Sequence, residues 1–239
     1  MSLISLRSDD SGKVAIISFD NGANTHNLQF AREFEQHLQT VEDNPDFKAL
    51  VITSSDEKSW SQGLDVPWLM GSIQGGQHDD VKEFMHTMDR CHARLMQLPV
   101  PAIAAINGHT FGNGCVIACA CDFRVMRSDR GYFCFPEVDM SIPFVPGLID
   151  VVLKSLPAYR YNDMLLTGRR VGAAELLADN FLSAAFEGGE AVLEGALAFA
   201  RTFNKKRTIF AEHKKRFHKP VLDALREKNP PFIDAMKLL

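Results

Sequence analysis

A glycine loop set between an apolar strand and a run of small side chains constrains this chain more than any other feature. Pro101 to Ile106 is apolar throughout, Gly108, Gly112 and Gly114 punctuate the stretch that follows, and Cys115 to Ala120 are small and apolar. The first segment reads as a short buried strand and the last as a tightly packed helix. A strand, a glycine loop and a helix start bring free backbone N–H groups and the positive end of a helix dipole to one point. Such a point can hold an anion, or a negative charge that develops only during a reaction.

Two nucleotide-binding readings of the loop fail. Gly108 to Gly114 lacks the Gly-Lys-Ser/Thr ending of a P-loop, and its glycines miss the G-x-G-x-x-G spacing. Taken alone, the loop is equally consistent with a tight strand-to-helix turn that carries no chemistry.

Two further stretches shift that balance. Trp60-Ser61-Gln62-Gly63-Leu64-Asp65 follows a second apolar strand, Ala49–Thr53, and Phe135-Pro136-Glu137-Val138-Asp139 lies downstream. Together the three stretches resemble the crotonase family, also called the enoyl-CoA hydratase/isomerase superfamily. Trp60–Asp65 matches the family's F-S-x-G-x-D loop with Trp for Phe. Asn107–Asp122 matches N-G-x-x-x-G-x-G-C-x-x-x-A-x-x-C-D almost throughout, and Pro136-Glu137 matches its P-E pair. The resemblance runs from about Val14 to about Phe186, in the family's order and spacing.

The resemblance implies an α/β fold, a crotonase-like spiral of ββα units over residues 1–188, with a helical C-terminal region, 189–239, that builds oligomers. A homotrimer or a dimer of trimers is the implied assembly. The implied partner is an acyl-CoA thioester, with CoA part of the substrate and no separate cofactor. The family's two oxyanion donors fall on the backbone N–H groups of Leu64 and Asn113. Asn113 departs from the usual glycine, though Asn tolerates left-handed backbone better than other side chains. Contacts to substrate or CoA are expected from Thr25, His26, Ser61, Gln62, Gly63, Asp65, Gly112 and Val116.

Family hydratases use two glutamates to activate and deliver water. Val116 occupies the place of the first, and Glu137 supplies the second. Moving a double bond from C3 to C2 needs one base, which removes a C2 proton and returns it at C4. The chain therefore looks like the Δ3,Δ2-enoyl-CoA isomerase branch, with Glu137 as the catalytic residue. Met126–Gly131 and Glu137-Val138-Asp139 also resemble plant peroxisomal isomerases in wording. The rivals are another crotonase reaction, such as hydration or thioester hydrolysis, and a non-catalytic acyl-CoA-binding subunit.

Simpler roles stand beside these. Asp139 reads first as a turn residue, and His26 and His109 as neutral hydrogen-bonding histidines near the site. Lys214-Lys215-Arg216 reads as a solvated helix face. The stripe Val81, Phe84, Met85, Met88, Cys91, Leu95 and Leu98 reads as core, or as a wall of the acyl pocket.

Composition agrees with a globular chain. With 239 residues, 46% hydrophobic and 23% charged, it can bury a good core. A net charge of −4 gives no reason to expect nucleic acid. No apolar run approaches membrane-spanning length, Met1–Asp10 lacks a signal-peptide core, and Lys237-Leu238-Leu239 is not a peroxisomal Ser-Lys-Leu address. A cytoplasmic location is expected. The five cysteines form no C-x-x-C pair, so reduced buried thiols are expected and no metal site.

Element expectations follow from local pattern. Strands are expected at Leu3–Arg7 and Val14–Phe19. Asn27 is placed to cap a helix that carries Leu28, Phe30, Phe34, Leu38 and Val41. Glu137 is expected in a connection, and helices over Gly147–Ser155, Ala158–Leu166, Gly172–Leu177 and Gly189–Asn204, with further helix up to Asn229-Pro230-Pro231.

Overall fold

A computed structural model of the protein describes residues 2–237; Met1, Leu238 and Leu239 lie outside the described residues. The chain opens with β1 (Ile4–Ser8) and β2 (Val14–Phe19), an antiparallel hairpin with Ile4 opposite Phe19. β3 (Thr25–His26) leads into α1 (Leu28–Asp43), then β4 (Ala49–Ser54), β5 (Ser59–Ser61), β6 (Gly63–Leu64), α2 (Val66–Gln74) and α3 (His78–Leu95). β7 (Ala102–Ile106), β8 (His109–Phe111) and α4 (Asn113–Ala120) form the next unit. It is followed by β9 (Phe123–Arg127), β10 (Phe133–Cys134) and a one-turn α5 (Glu137–Met140). The remainder is α6 (Pro146–Leu153), α7 (Ala158–Thr167), α8 (Ala173–Ala178), β11 (Ala184–Phe186), α9 (Gly189–Ala200), α10 (Arg207–Phe217), α11 (Lys219–Lys228) and α12 (Pro230–Asp234).

The main sheet has the order β1-β2-β4-β7-β9-β11, and every pairing after the hairpin is parallel. Smaller parallel sheets join β10-β8-β5 and β3-β6. Each of the units β4-β5, β7-β8 and β9-β10 therefore puts its first strand in the large sheet and its second in a small one. The chain climbs as a spiral of ββα turns, the crotonase-like architecture, and the loops between paired strands and helices gather on one side.

Local chemistry explains the elements. Asn27 accepts from the Phe30 amide at 3.1 Å, capping α1, whose Phe30, Phe34, Leu38 and Val41 are all buried. The cysteines are reduced and buried, and burial raises the thiols of Cys91, Cys115, Cys119 and Cys121. On the outer face of the sheet, Val192, Ala196 and Ala200 of α9 pack against Val14, Ile16, Val51 and Ile103. α11 packs on α6, and α12 reaches α3. The terminal helices thus lie on the same chain's core, while Phe217, Ile209, Tyr159 and Leu166 remain exposed.

Lys214 is not part of a solvated face. It is buried, with Nζ 2.7 Å from Asp122 and hydrogen-bonded to the Leu95 carbonyl. Among the described residues no helix is long and apolar enough to cross a membrane.

Candidate active site

The glycine loop closes on the Trp60–Asp65 loop through backbone contact. A methyl group at Gly63 would lie 2.5 Å from the Phe111 oxygen and 3.0 Å from the Asn113 nitrogen, and Gly63 has φ +77°. Only glycine lets the two loops meet at this distance. Asn113 is the first residue of α4, where backbone N–H groups have no helical acceptor. Leu64 and Asn113 line one pocket, and Glu137 lines it with them.

Glu137 is brought there by a second contact. Gly112 donates its N–H to the Cys134 carbonyl at 3.0 Å, which ties the end of β8 to β10 just before Pro136-Glu137. Gly112 has φ +53° and ψ −123°, and a methyl group there would stand 2.8 Å from Glu137 Oε1. Contrary to the sequence expectation of an irregular connection, Glu137 starts the one-turn α5, closed by Ser141 in the left-handed region. Its Oε2 is enclosed without a hydrogen-bond partner. Burial pushes this carboxyl up to about 8, against a small pull from its own backbone N–H. Asp139 is exposed and lies against Gly168, the residue that ends α7.

A buried polar chain holds the donor loops. Asn113 Nδ2 donates to His26 Nδ1 at 2.9 Å, and His26 Nε2 lies 2.8 Å from Ser61 Oγ. Ser61 Oγ donates to the Asn24 carbonyl at 2.9 Å and accepts from the Gly63 amide at 3.0 Å. With that hydroxyl proton committed to Asn24, His26 carries its proton on Nε2 and accepts at Nδ1. Burial lowers His26 to about 3, with a further push from His92, so the ring is neutral. It stacks on Phe30 with centroids 4.0 Å apart.

The other residues expected at the site divide between several places. Ser61 and Val116 are fully buried, Ser61 inside the polar chain and Val116 in the main core, so both shape the site from behind its wall. Thr25 pairs with Gly63 across β3-β6. Asp65 caps α2 by accepting from the Trp68 amide at 3.0 Å. Gln62 opens on a neighbouring cleft that it shares with Lys58, His109 and Arg170. His109 stacks on Tyr132 there.

Two residues that sequence reading missed also line the pocket: Asp89 and His92 of α3. Asp89 is 9% exposed and His92 fully buried. Burial pushes Asp89 up to about 7, opposed by its hydrogen bond from Asn229 and by the charge of Arg90. It lowers His92 to about 3, with the Asn113 amide nearby opposing. The available signal was two polar letters set on an otherwise apolar helical stripe.

A family model for enoyl-CoA hydratase/isomerase matches residues 9–230. The chain is 32% identical over 165 residues to Enoyl-CoA delta isomerase 3 of Arabidopsis thaliana, covering 66% of this chain and 67% of that protein. It is 31% identical over 174 residues to carnitinyl-CoA dehydratase of Escherichia coli K12, covering 72% of this chain but 64% of the relative, less than two thirds of its length. An apo enoyl-CoA isomerase from Mtb superposes with a TM-score of 0.85 at 22% identity, over 98% of both chains. An enoyl-CoA hydratase from Bacillus halodurans gives 0.86 at 16% identity, over 98% of this chain and 93% of that one. At these identities the two structures speak for the fold alone.

Proposed function

The chain belongs to the enoyl-CoA hydratase/isomerase family, and from that premise we propose that it is a Δ3,Δ2-enoyl-CoA isomerase with Glu137 as its acid/base. The observation that carries this reading is the Glu137 carboxyl, unpaired at Oε2 and held high in pKa, in one pocket with Leu64 and Asn113. The thioester oxygen is taken to accept from both N–H groups, so that charge leaving C2 collects on it. Each donor of this kind is worth roughly 3 kcal/mol in comparable sites. Glu137 removes the C2 proton and returns it at C4. CoA enters as part of the substrate, and no further cofactor takes part.

Val116 supports transposition over hydration, because the position that would hold a water-handling glutamate is apolar and fully buried. Hydration or dehydration is the second reading, favoured by one observation: Asp89 puts a second carboxyl in the pocket. Separate assays with 3-enoyl-CoA and 2-enoyl-CoA distinguish them, following conjugated enoyl product in one and 3-hydroxyacyl product in the other. A homotrimer or a dimer of trimers belongs to the same proposal, supported by the apolar side chains left exposed on α7 and α10.

A further inference from the structure

Building on the acyl-CoA reading above, we propose that Asp89 and His92 form a recognition site for a hydroxyl group on the acyl chain, so that the preferred substrate is a hydroxylated acyl-CoA. His92 is fully buried in the pocket wall; the Asn113 side-chain amide approaches its ring, but neither ring nitrogen makes a hydrogen bond of ordinary geometry. Buried polar atoms are nearly always paired, so a ring left short of partners on a residue that lines a pocket points to a partner that arrives with the ligand. A neutral imidazole offers one donor and one acceptor.

Asp89 stands three residues earlier on α3, hence on the same helix face and ~4.5 Å along its axis. Its carboxyl is held in place from the far end of the chain. Asn229, itself fully buried, donates Nδ2 to Asp89 Oδ2 at 2.8 Å and accepts from the Gly147 amide at 2.6 Å. His92 lies beside the Asn113 amide at the thioester end of the pocket. Asp89 follows one turn on, toward Met85 and Phe84. Apart from Asn113 and Glu137, the wall around them is apolar, with Met88, Phe144 and Leu148. A few fixed polar groups in an apolar pocket set orientation and specificity.

A hydroxyl both donates and accepts, which matches Asp89 and His92 together. A plain alkyl chain brings His92 no partner, and a site built to bond a substrate hydroxyl discriminates strongly against the analogue that lacks it. A cationic chain is a poorer fit, because burial drives Asp89 toward its neutral form.

The test is calorimetric titration of the wild-type protein with octanoyl-CoA and with octanoyl-CoAs carrying one hydroxyl at C5, C6, C7 or C8. These chains are saturated and unreactive, so the result is independent of whether the protein isomerises anything. At least one hydroxylated chain should bind about tenfold tighter or more than octanoyl-CoA. His92→Leu and Asp89→Asn should each bring that ratio to within about threefold of one. A wild-type ratio below about threefold at every position, or a ratio that both variants keep, overturns the proposal. Tighter binding of an octanoyl-CoA with a terminal ammonium group overturns it in favour of a cation site. Absence of binding by every acyl-CoA removes the acyl-CoA reading itself, and this inference with it.

Discussion

The side-chain amide of Asn113 donates to Nδ1 of His26 at 2.9 Å. The residue that departs from the family's usual glycine is thereby tethered on the side of His26, and its backbone N–H stays at the start of α4 in contact with the Gly63 loop. His26 is the hinge of this arrangement, since its other nitrogen meets Ser61, and Ser61 receives the Gly63 amide. One neutral imidazole couples the two donor loops.

Replacing that imidazole should disturb both loops. His26→Phe keeps the stacking on Phe30 but takes the acceptor from the Asn113 amide and unlinks it from Ser61, which keeps Asn24 and Gly63. Each unpaired buried group costs about 1–3 kcal/mol. Denaturant titration should show a loss in that range, and kcat should fall more than KM rises. A variant as stable and as active as wild type would show that the polar chain is dispensable.

Gly112→Ala is expected to damage catalysis more than folding. Its φ of +53° strains any side chain, and the added methyl would stand 2.8 Å from Glu137 Oε1. The strain costs about 1–3 kcal/mol, while displacement of the base should lower kcat by roughly 10²-fold. Near wild-type turnover in a folded Gly112→Ala protein would mean that Glu137 is not placed by Gly112.

Much of this fold is written in local pattern. The strand Val14–Phe19 is found as expected, Asn27 caps α1, and the buried residues of α1 are those at helical spacing. The turns that build the donor loops are legible too, because positive φ and close backbone approach demand glycine at Gly63 and Gly112. Asp89 and His92 show in the sequence only as two polar letters on an apolar stripe, which does not mark them as pocket residues. Their helix reads as amphipathic with or without them, and the partner that fixes Asp89 lies 140 residues away. His109 reads as a residue near the site, but it opens β8 and lines the neighbouring cleft with Gln62 and Arg170, because the path of β8 decides where it lies.

The pH dependence of turnover has a definite sign. Glu137 works as a base only when ionised, and its carboxyl is raised from an ordinary 4.5 to about 8. Isomerase kcat/KM should therefore climb close to tenfold per pH unit up to about pH 8 and level off above it. Stability moves the opposite way. The folded state holds this proton more tightly than the unfolded one, so the group's destabilising contribution is absent below about 4.5 and grows as pH rises through 8. Glu137→Gln should thus gain stability over wild type at pH 9 and none at pH 4. Solvent at this half-buried group reduces the difference to about 1 kcal/mol. A flat rate profile between pH 6 and 9 would contradict the assignment of the base.

Assembly is checked by light scattering at micromolar concentration. The expected mass is three or six times the 26.7 kDa of the chain. Phe217, 76% exposed, and Leu166, 63% exposed, are the side chains whose replacement by Ser should weaken the oligomer first. A monomer that persists on concentration would rule the trimer out.

The central claim is a single-base transposition by Glu137, and paired turnover assays test it most directly. Wild-type protein should convert 3-enoyl-CoA to the conjugated 2-enoyl isomer, and should form 3-hydroxyacyl product from 2-enoyl-CoA far more slowly. Glu137→Gln should lower the isomerisation by about 10²–10⁴-fold while still binding the substrate. Efficient hydration by the wild type, or a Gln variant that isomerises at close to the wild-type rate, would contradict the account.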